Sequence, residues 1–91
     1  MNREITGGYT SDLLSDVMGF ADQGKLWITL QTHRNVMAIA SLKDLAAILL
    51  VKGQQPDADM LELAEEEGIA VLGSDENSFE VSGKVFNCLM Q

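Results

Sequence analysis

Three basic side chains follow apolar runs of the chain and could bind an anion. His33, the single histidine, stands beside Arg34 after the apolar run that ends at Leu30, and Lys52 follows the apolar run at residues 47–51. The whole chain has six lysines and arginines against fourteen aspartates and glutamates. Guanidinium and ammonium groups bind phosphate and carboxylate well. These residue types therefore predict a small anionic ligand or a nucleotide.

The elements that would position these residues alternate between strands and helices. Apolar runs bounded by glycines and polar residues predict strands at 25–30, 47–51 and 69–72, with a further short strand at 3–6. Helical spacing and capping residues predict helices at 10–22, 35–43, 57–67 and 77–90. The order β-α-β-α-β-α-β-α favours an α/β fold with three layers, α/β/α, built on a small, mainly parallel four-stranded sheet.

In such a sheet, ligands bind beyond the carboxyl ends of the strands, where helices begin. We expect the loops after the first three strands to meet there. The candidate ligand-binding residues are Thr6, Gly7, Gly8, Thr10, Thr32, His33, Arg34 and Lys52. The alternative is that these loops are structural, with threonines as helix caps and Gly7-Gly8 as an ordinary turn.

A small enzyme is a further alternative. Asp12 and Asp16 lie one turn apart in the predicted first helix, and His33 could act with an acidic residue such as Asp12. The loop of His33, however, contains no serine or cysteine that could act as a nucleophile, so no catalytic residue is predicted. No cofactor is predicted either. One histidine and one cysteine argue against a metal site, and Cys88 is expected to be a small core residue.

Two predicted helices carry more apolar residues than one core face requires. An all-round apolar helix is normally buried on every side, and a small domain has too few layers for that. A homodimer is therefore expected, with Met37, Ile39, Phe86 and Leu89 as candidate interface residues. Binding to another protein would use the same kind of surface.

The composition limits the class of partner. The net charge is −8, which disfavours nucleic acid and anionic membranes as partners. No apolar run approaches the ~20 residues of a membrane span. A single cysteine and a polar N-terminus without an apolar signal core favour a cytoplasmic location. The length predicts a single domain, residues 1–91.

The chain resembles the DRTGG domain family over nearly its whole length. The matching segments are GGYTSDLLSDVM, KLWITLQTHRNVMAIA, LAAILLVKGQQPD and LAEEEGIAVL. It is most similar to short stand-alone members, and also to the N-terminal domain of HPr kinase/phosphorylase. The family signature falls on residues 32–35, where Arg34 is retained and His33 replaces an aspartate.

The resemblance implies a three-layer α/β/α domain used for regulation and dimer contact rather than catalysis. Together with the residues themselves, it predicts a non-catalytic regulatory or protein-interaction module that forms a homodimer. The alternative is a small-ligand sensor that binds an anion or nucleotide at the carboxyl edge of the strands.

Overall fold

A computed structural model describes residues 4–90 and contains one sheet of four parallel strands alternating with four helices. The elements in chain order are β1 (Gly7–Thr10), α1 (Leu14–Phe20), β2 (Lys25–Thr29), α2 (Arg34–Leu42), β3 (Ala47–Leu50), α3 (Ala58–Glu67), β4 (Ala70–Gly73) and α4 (Ser78–Leu89). The predicted α/β class and the alternation of elements are confirmed.

The strand order β1-β2-β3-β4 determines where the helices lie. Each crossover moves one strand further in the same direction, so right-handed connections place α1, α2 and α3 on the same face. Accordingly, α2 packs between α1 and α3. The last helix, α4, returns across the opposite face and packs on β1 and β2. The three layers therefore hold three helices, the sheet and one helix.

The larger core lies between the sheet and the three-helix layer. Trp27, Ile48 and Leu50 point to this side and are fully buried or nearly so. Burying an aliphatic side chain such as that of Ile48 or Leu50 contributes about 1.5–3 kcal/mol to stability. Alternation along the strands sends Leu26 and Ile28 to the other face, where they pack with Val81 of α4. This second core is smaller.

The face that carries α4 is covered only in part. Leu49 is half-buried, and Leu72 of β4 remains 45% exposed. The apolar run at 47–51 had predicted a strand buried on both faces. That prediction is wrong for Leu49, because a single helix is too narrow to cover four strands.

The first strand begins later than predicted. The sequence predicted a strand at 3–6 and a glycine turn at 7–8, whereas β1 contains both glycines and pairs with residues 25–28 of β2. Residue 3 lies outside the described residues. Helix α1 is correspondingly shorter than predicted, because Thr10 belongs to β1 and the backbone is already extended at Ala21.

Gly24 makes the tight turn between α1 and β2. Its φ is 82°, a left-handed conformation, and a β-carbon there would lie 2.7 Å from the Thr6 hydroxyl oxygen. The same turn bonds to the start of β1, since the Thr6 backbone N–H donates to the Gly24 carbonyl at 2.9 Å. Thr6 is therefore fixed at the amino edge of the sheet.

Candidate functional site

At the carboxyl edge of the sheet, Asp12 links the loops after β1 and β2. Its carboxylate accepts hydrogen bonds from the Thr29 hydroxyl at 2.9 Å and from the Leu30 backbone N–H at 2.7 Å. The Gln31 side-chain amide donates to the Asp12 carbonyl at 3.0 Å. Thr29 itself is fully buried. Asp12 therefore holds the loops after β1 and β2 together.

The second acidic candidate, Asp16, is also engaged. Its carboxylate accepts a hydrogen bond from the Tyr9 hydroxyl at 2.9 Å. The loss of solvent around the phenol, followed by the hydrogen bond and the charge of Asp16, raises the pKa of Tyr9 above its ordinary value of 10.0. Asp12 precedes α1, which begins at Leu14, so the predicted pair one turn apart on one helix is wrong.

The loops after β3 and β4 form a second linked pair. The backbone N–H of Lys52 donates to the Glu76 carbonyl at 2.8 Å, and that of Gly53 donates to the Ser74 carbonyl at 2.8 Å. Lys52 has a φ of 56°, so its backbone occupies the left-handed region. These bonds leave the Lys52 side chain exposed at the edge.

The predicted cationic residues lie at this same edge. His33 is the N-cap residue of α2 and is half-buried, while Arg34 is the first helical residue and is exposed. The His33 side chain makes no capping hydrogen bond to the helix. Within residues 4–90 the Arg34 guanidinium has no ion-pair partner. Thr32 joins the next loop, because its carbonyl accepts from the Asp57 N–H at 2.9 Å.

The other predicted ligand residues do not share that position. Thr6 and Gly7 lie at the amino end of β1, at the opposite edge of the sheet from Arg34, because residues 7–10 form a strand instead of a loop. Thr10 is at the carboxyl end of β1, but its hydroxyl bonds to Ser82 of α4 at 2.7 Å, on the face away from α2. The predicted eight-residue site is therefore split into two groups.

Thr6, Gly7, Gly8 and Thr10 instead line a groove between β1 and α4. It has a volume of about 1020 Å³. Its other side is formed largely by α4, including Phe79, Ser82, Phe86, Leu89 and Met90. The sequence could not predict this groove, because it depends on α4 returning across β1, the strand most distant from it in the chain.

Helix α4 exposes most of its large apolar side chains. We call Phe79, Phe86, Leu89 and Met90 the α4 apolar surface; their exposed fractions are 87%, 66%, 39% and 70%. Only Val81 of this helix is buried. The sequence predicted Phe86 and Leu89 as interface residues, and the structure leaves both accessible. Cys88, expected in the core, is exposed on the same helix.

The other two interface candidates are core residues. Met37 is fully buried and Ile39 is 9% exposed, both within the three-helix layer. The prediction that they contact a second copy is wrong, because α1 and α3 flank α2 and cover its apolar sides.

An exposed ion pair links the loop before α4 to the middle of that helix. The Lys84 ammonium lies 2.8 Å from each carboxylate oxygen of Glu76. This hydrogen bond and the charge of Glu76 raise the pKa of Lys84 above its ordinary value. Among residues 4–90, no cluster of three or more histidine, cysteine or acidic side chains could hold a metal ion. No helix in that range is long and apolar enough to cross a membrane.

The chain shares its fold with a protein of known structure. Its fold is similar to a crystal structure of the CBS and DRTGG domains of the regulatory region of Clostridium perfringens pyrophosphatase, complexed with its activator, diadenosine tetraphosphate. The TM-score is 0.71 at 16% identity, and the match covers 87% of this chain but 34% of the other. The chain thus spans about a third of that structure's length, and the likeness shows a shared fold.

The search of curated proteins gives no match. The sequence profile of the DRTGG domain matches residues 10–88, which run from the last residue of β1 to the next-to-last residue of α4. Because this match covers most of the sequence, the chain belongs to the DRTGG domain family.

Proposed function

We propose that the chain, a single domain of residues 1–91, is a non-catalytic regulatory module of the cytoplasm that acts by self-association. The observation that carries this proposal is the α4 apolar surface. A soluble domain rarely exposes several large apolar side chains side by side unless another surface covers them. In a homodimer, the same patch on each copy would cover the other.

The residues at the carboxyl edge support the absence of catalysis. Asp12 and Asp16, the two acids that the sequence offered for acid–base chemistry, are both held by hydrogen bonds within the fold. The similar pyrophosphatase structure is a regulatory region, which supports a regulatory role here.

Sedimentation velocity tests self-association. We expect the wild-type chain to have twice the mass of one copy at micromolar concentration, and Phe86→Glu to be a folded monomer. Phe20→Glu is the matched control, since Phe20 is 72% exposed on α1, in the other helix layer. A wild-type monomer, or equal dissociation by both substitutions, would contradict the proposal.

A second candidate function is the binding of an anion or nucleotide at the carboxyl edge. It is supported by the exposed Arg34 at the amino end of α2, whose first N–H groups receive no side-chain cap, and by the exposed Lys52 in the loop after the neighbouring strand β3. The sequence candidates for this site are Thr32, His33, Arg34 and Lys52, which follow β2 and β3 in the chain. The similar structure contains diadenosine tetraphosphate, a strongly anionic ligand, which makes nucleotides the first class to test.

Thermal-shift measurements with a panel of nucleotides, including diadenosine tetraphosphate, test this candidate. A ligand at a hundredfold its Kd stabilises the fold by about 2.7 kcal/mol. Arg34→Ala should abolish the shift, while Lys43→Ala, which removes one charge at the other end of α2, should retain it. If Lys43→Ala abolishes the shift equally, the effect comes from net charge, and the edge is not the site.

A further inference from the structure

Four residues of α4, all of which line the groove between β1 and α4, form an exposed seam along the helix. Phe79, Gly83, Phe86 and Met90 are separated by four, three and four residues, the spacing that keeps side chains on one side of a helix. Val81 and Val85 lie on the opposite side of α4 and pack against the sheet core. All four seam residues are exposed. The spacing is that of a helix packing lengthwise on another helix.

No contact within one copy of the chain explains why position 83 is a glycine. It lies inside α4, where glycine is less favourable than alanine. Its φ is not positive, and a β-carbon at this position would meet no atom within 4 Å. Neither the backbone nor the packing of this chain therefore requires glycine. A glycine on an apolar seam leaves room for a bulky side chain of another molecule to approach the helix closely.

We propose, resting on the self-association proposed above, that two copies pair through antiparallel α4 seams, with Phe86 of each copy packed over Gly83 of the other. The spacing four-three-four reads the same in both directions. An antiparallel pairing about a two-fold axis therefore sets position 83 opposite position 86, and position 79 opposite position 90. At the first pair of positions, the large Phe86 side chain packs against Gly83, which has no side chain. At the second pair, Phe79 contacts Met90.

The exposed area suits a second copy as the occupant. Phe79, Phe86, Leu89 and Met90 together expose on the order of 500 Å² in one copy, given the usual size of such side chains. A two-fold contact that buried all of this area in both copies would reach about 1000 Å², the smallest area expected of a biological interface. The acidic groups of the chain do not interrupt the seam, because Glu76 is paired with Lys84 and Glu80 lies off the seam.

Complementary substitutions test the 83–86 contact directly. Gly83→Leu should fill the space of the ring and raise the dimer Kd at least about tenfold, which is about 1.4 kcal/mol. Phe86→Ala should raise it similarly by leaving that space empty. An equimolar mixture of the two variants should associate more tightly than either alone, because both contacts of the mixed dimer then pair a large residue with a small one. Sedimentation equilibrium, with one variant labelled, measures all three constants.

Gly19→Leu is the matched control. Gly19 is also an exposed helical glycine whose β-carbon would meet no atom within 4 Å, but it lies on α1. It should leave the dimer Kd unchanged. If the wild type is a monomer, both the proposed function and this inference are overturned, and the seam has some other occupant or none. If the wild type is a dimer but the mixture associates no better than the single variants, only the antiparallel pairing is overturned.

Discussion

Helices α2 and α4 have similar apolar sequences but opposite environments. Helix α2 buries Val36, Met37, Ile39 and Ala40, whereas α4 buries only Val81. The difference comes from their neighbours. Helix α2 lies between two other helices, and α4 is the single helix on its side of the sheet. The apolar content of a helix therefore indicates that its surface will be buried. The topology decides whether other elements of the same chain bury it.

The largest expected effect is the loss of stability when a charge is placed in α2, compared with the same substitution in α4. Met37→Glu places a carboxylate in the main core and should cost more than about 4 kcal/mol, a large part of the usual total stability of 5–15 kcal/mol. Phe86→Glu should change stability little in the monomer. Circular dichroism during urea unfolding compares them. If Met37→Glu lowered the free energy of unfolding no more than Phe86→Glu, α2 would not be enclosed.

Substitutions on the two faces of the sheet should also differ in how much they lower the free energy of unfolding, with the larger loss on the three-helix side. Leu50→Ala removes a buried side chain from the three-helix side and should cost about 2–5 kcal/mol. Leu49→Ala, at a half-buried position on the α4 side, should cost roughly 1 kcal/mol. The free energies of unfolding of the two variants measure the contrast. Equal losses would mean that the α4 side is as well packed as the other.

The loops at the carboxyl edge allow a smaller test. Asp12→Ala leaves the Thr29 hydroxyl and the Leu30 N–H without their acceptor and should cost about 1–3 kcal/mol. Asp12→Asn keeps one side-chain oxygen as an acceptor and should lose less. Urea unfolding of both variants gives the comparison. If the two losses are the same, the hydrogen bonds at this oxygen do not stabilise the loops.

The smallest effect concerns Tyr9. It is the single tyrosine, so the ultraviolet absorbance of tyrosinate reports it alone. The midpoint of its titration should lie above 10.0, and Asp16→Asn should lower it. Because the folded pKa is raised, the protonated phenol stabilises the fold below the unfolded pKa, and this contribution is lost as the pH rises through the folded value. An unchanged midpoint in Asp16→Asn would argue against the Tyr9–Asp16 bond.

The sequence predicted the fold well where local pattern and tertiary environment agree. The apolar run at 47–51 and the capped helix at 57–67 gave β3 and α3 nearly to the residue. It failed at Gly7-Gly8, because strand pairing with β2 outweighs the turn preference of glycine. It could not separate Met37 from Phe86, since their burial depends on the strand order, which local pattern does not contain. The grouping of His33, Arg34 and Lys52 at one edge was predictable, because it follows from parallel strands alone.

Fluorine NMR tests the central claim, that α4 and not the three-helix layer forms the contact between copies. The chain has three phenylalanines: Phe79 and Phe86 on the α4 apolar surface, and Phe20 on α1. All three are mostly exposed in one copy, so para-fluorophenylalanine at each position begins from a similar environment. Across a dilution series, we predict that the resonances of Phe79 and Phe86 shift with concentration while that of Phe20 does not. Three resonances independent of concentration, or a shift at Phe20 alone, would contradict the account.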